Sequence, residues 1–266
     1  MAVYTDLLRY RELFANLFRR NFHAKYRRSV LGIAWSLVNP LALMGVYLLV
    51  FGLLMGNSSG VPHYWLYLLA GIACWVFFSA SLQTGARSLI DSAELVRKVR
   101  FPRQLVPFPV VATQLVTFVV MLAILIVLSL VFVPEARAYV WLSLPLAVLF
   151  VFLVAGLSLI VACLNVVLRD VEHILTAALL PWFFLTPILW DPGHLPGNFQ
   201  GHERLIEVLR WGNFIAPPIS AVRAALWLGH APRLADVVYL TVAAVVALVA
   251  GGYFFLRIDD RIAIEL

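Results

Sequence analysis

Charge is scarce in this chain. Of its 266 residues, 63% are hydrophobic and only 13% charged, where a soluble domain carries about 25% charged residues. A globular protein of this size must cover itself with polar groups, so the deficit excludes a water-soluble fold and leaves a bilayer as the matching solvent. Cysteine is nearly absent. Cys74 and Cys163 fall in separate apolar runs, which excludes a disulfide framework. The six histidines show no His-x-x-x-His spacing, and no Cys-x-x-Cys occurs, so no metal centre is expected. No nucleophile elbow or paired-carboxylate motif stands out, and the chain has no Gly-Lys pair from which to build a Walker A loop. No catalytic residue and no cofactor is expected on this chain.

What is present is apolar length. Charge-free stretches run from Ser29 to Ala86, Gln104 to Pro134, Ala138 to Leu168, Ile174 to Trp190 and Val237 to Leu256. A crossing helix needs about 20 such residues. The turn cluster Gly56–Pro62 divides the first stretch. The pattern predicts an all-α membrane protein with six transmembrane helices near 36–56, 64–85, 106–133, 140–166, 174–190 and 235–256. The fifth is short and carries Pro181 and Pro187. These spans make one domain, 31–266.

The cations set an orientation. With six spans both termini share a side, and 15 of the 20 Lys and Arg residues lie there. Only Arg137, Arg204, Arg210, Arg223 and Arg233 fall on the other side. The positive-inside bias predicts cytoplasmic termini. The net charge of +6 then reflects topology, and nucleic acid is not an expected partner.

Residues 1–30 read as a separate element. Leu7, Tyr10, Phe14, Leu17, Phe18, Phe22 and Tyr26 recur at helical spacing opposite a basic face, with Thr5-Asp6 as the cap. Charges from Arg9 to Arg28 and the lack of a small-x-small site argue against a cleaved signal. The helix either lies in the headgroup layer beside membrane lipids or packs on another protein domain.

The apolar stretches hold no ionisable relay of the kind that ion-coupled carriers need. Asn39, Gln83, Thr84, Gln114, Thr117 and Asn165 read as helix–helix glue. Energy for transport must come from another polypeptide, unless the chain is a lone channel. In "SLIDSAELVRKVRFPRQ", Asp91 with Glu94 resembles a helix start, Glu94 and Lys98 form an i,i+4 pair, and Phe101-Pro102 stops the helix. Such a helix could dock on a soluble partner, or the loop could be solvated, its cations fixing topology. Arg169-Asp170-Val171-Glu172-His173 is a second charged corner. On the opposite side, "HERLIEVLRW" resembles a short amphipathic helix, and "GNFIAPPISAVRAALWLG" is apolar but broken by Pro217-Pro218 and bears Arg223. Two short re-entrant helices before the last span fit this pattern.

Taken together, "YRRSVLGIAWSLVNPL", "LNVVLRDVEHILTAALLPWFFLTPILW", Leu195-Pro196 and "NFIAPPISAVR" resemble the membrane subunit of a type-2, exporter-class ABC transporter. The branch is the one that exports polysaccharides, O-antigen and teichoic acids. Phe214 stands where that family commonly has proline. The resemblance implies a bacterial inner-membrane permease that exports a lipid-linked polysaccharide. It implies a homodimer served by two ATPase subunits, which bind the ATP and Mg. It places Trp35, Asn39 and Pro40 at a channel entrance, with Pro40 in the first turn of the span. Asp91, Glu94, Arg97, Lys98, Arg100, Arg169, Asp170 and Glu172 would couple to the ATPase, and Asn213, Pro217 and Arg223 would belong to an outer gate. The first and fifth spans would line the channel, where Tyr47, Phe51, Phe183, Thr186 and Trp190 could stack on a sliding sugar chain. The same aromatics also suit an interfacial belt or plain core packing. An exporter of drugs or small lipids, or a channel or scaffold without ATP coupling, are the alternative functions.

Overall fold

The computed structural model describes residues 9–27, 32–54, 61–98, 101–193, 203–227 and 229–265, with no strand among them. The chain begins with α1 (Arg11–Tyr26) and a 3-10 turn at Gly32–Ala34. Next comes α2 (Trp35–Tyr47), which runs on as a π-helix over Leu48–Leu54. Then come α3 (Tyr64–Asp91), a short α4 (Ala93–Lys98), α5 (Pro107–Phe132), α6 (Ser143–Val167) and α7 (Asp170–Leu185). The chain closes with α8 (Glu203–Trp211), α9 (Ala216–Trp227) and α10 (Leu234–Glu265). Among the described residues, five helical stretches are long and apolar enough to cross a membrane: Leu37–Leu54, Tyr64–Asp91, Arg103–Phe132, Val140–Val167 and Leu234–Ile258.

The stretch expected as a helix over 174–190 divides in two. The helix covers Asp170–Leu185, 16 residues, or about 24 Å of rise, short of the roughly 30 Å of hydrocarbon. Pro187 disfavours the α conformation at the residue before it, and Thr186 turns extended at ψ 136°. The chain beyond it stays inside, with Ile188 and Leu189 buried. Trp190 therefore shares no helical face with Phe183.

Helix α3 is the axis of the fold. It is apolar nearly all round, and Leu66 to Cys74 are buried without a break, as expected of a helix surrounded by protein. It packs on α2, α5, α6, α7 and α9. The tightest pairing joins α6 to α10. A Cβ on Gly156 would fall 2.4 Å from the Ala247 carbonyl carbon, and one on Gly251 would fall 2.6 Å from the Gly156 oxygen. Small residues let the two backbones touch, which is how membrane helices gain dispersion contacts. Polar glue supplements this. Ser158 donates to the Ser81 carbonyl at 3.2 Å, and Ser129 to that of Leu226 at 2.6 Å. Asn165 donates to the Ala86 carbonyl at 3.0 Å and accepts from the Glu172 N–H at 3.0 Å, tying α6 to α3 and α7. Cys74 and Cys163 are both buried.

Helix α1 docks on this chain rather than standing apart. Leu17 is buried, and the helix packs along α5. Lys25 donates to Gln114 Oε1 at 2.7 Å, and the Tyr26 hydroxyl lies 3.3 Å from that of Thr117. The expected cap Thr5-Asp6 lies outside the described residues, as do Arg100 and Leu195-Pro196.

Two local expectations are corrected. Asp91 does not open a helix: it is the last residue of α3, and α4 starts after Ser92. Leu89 remains in the core, so burial carries α3 beyond the end of the charge-free run. Pro40 sits inside α2 rather than in its first turn. The 3-10 turn ahead of Trp35 takes up the entry. Pro40 then removes one i→i−4 bond from the helix interior, where its ring is buried.

Candidate functional site

Three places in the bundle gather the expected site residues. The first is a cavity of about 410 Å3 where α1, α2, α3 and α5 meet, with Trp35, Asn39 and Pro40 in its wall. All three entrance candidates thus face one space. Lys25, Tyr26, Gln114 and Thr117 line it at one end, and Phe77, Phe118 and Met121 line it at the other. The sequence pattern did not single out Lys25 or Gln114 for this cavity. Their signal was a cation at the end of an amphipathic helix and an amide in an apolar run, features that fit many sites.

The second place is aromatic. Tyr47 stacks on Phe183 with ring centroids 5.4 Å apart, and Phe51 follows Tyr47 at 6.2 Å. Trp75 backs Phe183 at 5.6 Å. Phe183 is buried, while Tyr47 and Phe51 are half-buried. Helices α2 and α7 are therefore neighbours, and each also carries exposed apolar residues: Val46 on α2 with Leu49 and Leu53 on its π-helical continuation, and Ile174, Leu180 and Phe184 on α7. Trp190 is held elsewhere, its indole N–H reaching the Phe184 carbonyl at 3.2 Å.

The third place is polar and runs from the middle of the bundle to the end opposite α4. Asn213 accepts from the Trp182 indole N–H at 2.8 Å and donates to the Thr186 hydroxyl at 2.8 Å. That hydroxyl donates back to the Trp182 carbonyl at 2.8 Å. The ring of bonds fastens the chain before α9 to the end of α7. Arg223, 4% exposed, donates to the Pro187 carbonyl at 2.9 Å. Its guanidinium carbon stands 3.6 Å from the centre of the Tyr67 ring. Tyr67 in turn donates to the Trp190 carbonyl at 2.6 Å, and Tyr64 to that of Leu189 at 2.6 Å. One cation and two tyrosines thus hold the irregular turn after α7, satisfying carbonyls that no helix pairs. Pro217 is buried in the first turn of α9, where a missing N–H costs little. Tyr64, Tyr67 and Trp182 escaped the sequence argument. A lone arginine in an apolar stretch demands buried partners, but spacing alone does not say which.

The charged corners gather at the α4 end. Glu94 and Lys98 pair at 3.2 Å, both exposed. Arg87 pairs with Glu172 at 3.0 Å and links the end of α3 to the first turn of α7. Asp170 and Glu172 occupy that first turn, where carboxylates suit the helix dipole. Arg97 belongs to the last turn of α4, and Arg169 precedes α7. Among the described residues no group of His, Cys, Asp and Glu could hold a metal ion.

The family model described as "ABC-2 type transporter" matches residues 12–227, from α1 through α9. A protein of Myxococcus xanthus, "O-antigen export system permease protein RfbA", is 35% identical to this chain over 185 residues, 70% of each chain. A Klebsiella pneumoniae protein of the same name is 28% identical over 194 residues, 71% of this chain and 73% of that one.

Proposed function

Because the chain belongs to the ABC-2 type transporter family, we propose that this permease exports a lipid-linked polysaccharide of the O-antigen type across the bacterial cytoplasmic membrane. The observation that carries the cargo is the likeness, over 70% of both chains, to a relative named for O-antigen export. A separate ATPase supplies the energy, in keeping with apolar runs that hold no ionisable relay and a chain that lacks a Gly-Lys pair. The working assembly is two copies of this chain with two ATPase subunits. The exposed apolar residues of adjacent α2 and α7 favour a second copy there, since one chain offers only part of a wall. Residues 1–30 lie along the membrane surface and 31–266 form the spanning domain, with both termini in the cytoplasm.

In this reading α7 and the turn after it make the fifth of six crossings, and α8 and α9 dip into the outer leaflet and return. Packing depth supports the dip. Phe214, just before α9, meets Phe78 at 6.3 Å, and Phe78 lies about 21 Å along α3 from Tyr64 at 1.5 Å per residue. Trp227, at the other end of α9, bonds the Pro62 carbonyl. Asn213, Pro217 and Arg223 then form the outer gate and hold the chain end of the conduit shut against Thr186. The conduit takes Tyr47, Phe51 and Phe183 as stacking surfaces for sugar rings. Glu94, Arg97, Lys98, Arg169, Asp170 and Glu172, with neighbouring Asp91 and Arg100, seat the ATPase.

Deletion of the gene in its own cell, followed by separate assay of surface and internal polymer, tests the cargo. Polymer should vanish from the surface and accumulate inside on its lipid. Unchanged surface polymer would refute the proposal.

A further inference from the structure

The cavity behind the first span is built like a receptor for an amphiphile. Its volume of about 410 Å3 falls in the range of small-molecule sites, and its wall changes character along its length. At one end Lys25 donates to Gln114 at 2.7 Å and to Thr117 at 3.5 Å, using two of the three ammonium protons on neutral acceptors. Among the described residues no carboxylate lines the cavity. At the other end stand Phe77, Phe118 and Met121. Gln114 is seven residues into α5 from Pro107 and Met121 seven further, so the polar end lies about 10 Å and the apolar end about 20 Å from the start of that helix. Lys25 is itself exposed, so its remaining charge stays open to a ligand at the polar end.

We propose that this cavity binds a lipid phosphate. The phosphate pairs with Lys25, for which lysine serves as a point charge, and the first carbons of the tail lie along Phe77, Phe118 and Met121. The lipid is either an anionic phospholipid resident in the membrane or the phosphate-bearing carrier of the cargo. The proposal rests on reading the chain as a membrane permease and not on which polymer it moves.

Native mass spectrometry of the complex purified from membranes tests it. The probes are phosphatidylglycerol and a polyprenyl phosphate, with diacylglycerol as the phosphate-free control. Lys25→Gln should weaken binding of at least one phosphate lipid tenfold or more and leave diacylglycerol unchanged. Arg9→Gln, a cation on the same N-terminal segment but outside the cavity wall, should stay within twofold of the parent. Met121→Trp, which fills the apolar end without touching charge, should lower binding as Lys25→Gln does. A loss confined to phosphatidylglycerol assigns the site to the resident lipid, and one confined to polyprenyl phosphate assigns it to the carrier. Loss of both supports a site that reads only the phosphate. Equal losses in Arg9→Gln and Lys25→Gln would reduce the effect to diffuse attraction and overturn the proposal. So would parental binding in either cavity variant. Binding is read without any export assay, so an error in the cargo leaves the result intact.

Discussion

Arg223 is the residue on which the turn after α7 depends. It offers a planar face to Tyr67 and a donor to the Pro187 carbonyl, and lysine can supply the donor but not the plane. Arg223→Ala should cost about 2–4 kcal/mol from the lost cation–π contact and the lost charged hydrogen bond to the Pro187 carbonyl. Arg223→Lys should recover less than half of that. Thermal unfolding of the detergent-solubilised protein gives both numbers, and a lysine variant as stable as the parent would remove Tyr67 from the account. Asn213 makes a different demand, because it accepts from Trp182 and donates to Thr186 at once. Aspartate cannot donate when ionised. Asn213→Asp should therefore destabilise at least as much as Asn213→Ala, by about 1–3 kcal/mol, in the same melting assay. An aspartate variant milder than alanine would contradict the bonding described.

Among elements, the α6–α10 pair has the least room to change. A methyl on Gly156 meets the backbone of Ala247, and backbone cannot swing aside as a side-chain tip can. Gly156→Ala should cost about 1–3 kcal/mol by overpacking, seen as a lower melting temperature. A parental melting temperature would show that the helices can part without penalty. Glu94 on α4 and Asp170 at the start of α7 are the reverse case: exposed and charged. Glu94→Lys or Asp170→Lys should leave the permease folded while reducing co-purification of the ATPase and its activity. Unchanged association would favour a loop that only fixes topology. How far the sequence discloses these elements depends on how local each cause is. Five long apolar helices were readable because span length and charge are properties of consecutive residues. The end of α7 was not, since Pro187 acts on Thr186 while the buried turn beyond is held by Tyr64, Tyr67 and Arg223 from distant helices. Trp35, Asn39 and Pro40 share one cavity, yet Pro40 lies deeper in α2 than its motif suggested. The unforeseen cause was a 3-10 turn opened by Gly32, whose φ of +50° leaves no trace in hydropathy.

At the scale of the molecule, orientation is the property to establish first. Glu94→Cys and Glu135→Cys place thiols at opposite ends of the bundle, both at exposed positions. In a background with Cys74 and Cys163 replaced by alanine, an impermeant thiol reagent applied to intact cells should label position 135 and spare 94. Labelling of 94 from outside would invert the topology.

The central place of α3 also has a history in time. Of the five long apolar helices it is the least hydrophobic and the most enclosed, yet it is the second to leave the ribosome. Four of the helices that surround it, α5, α6, α7 and α9, are encoded after it, the last ending at Trp227. At about 5–20 residues per second, α3 waits roughly 7–27 s for its final neighbour. Through that interval the Ser81 and Ala86 carbonyls, which Ser158 and Asn165 later pair, face lipid or an insertion factor. Damage to α9 should therefore strike the newborn chain before it strikes a working transporter. In pulse-labelled cells Arg223→Ala should shorten the lifetime of new protein within the first minutes, while copies that survive the wait decay at the parental rate.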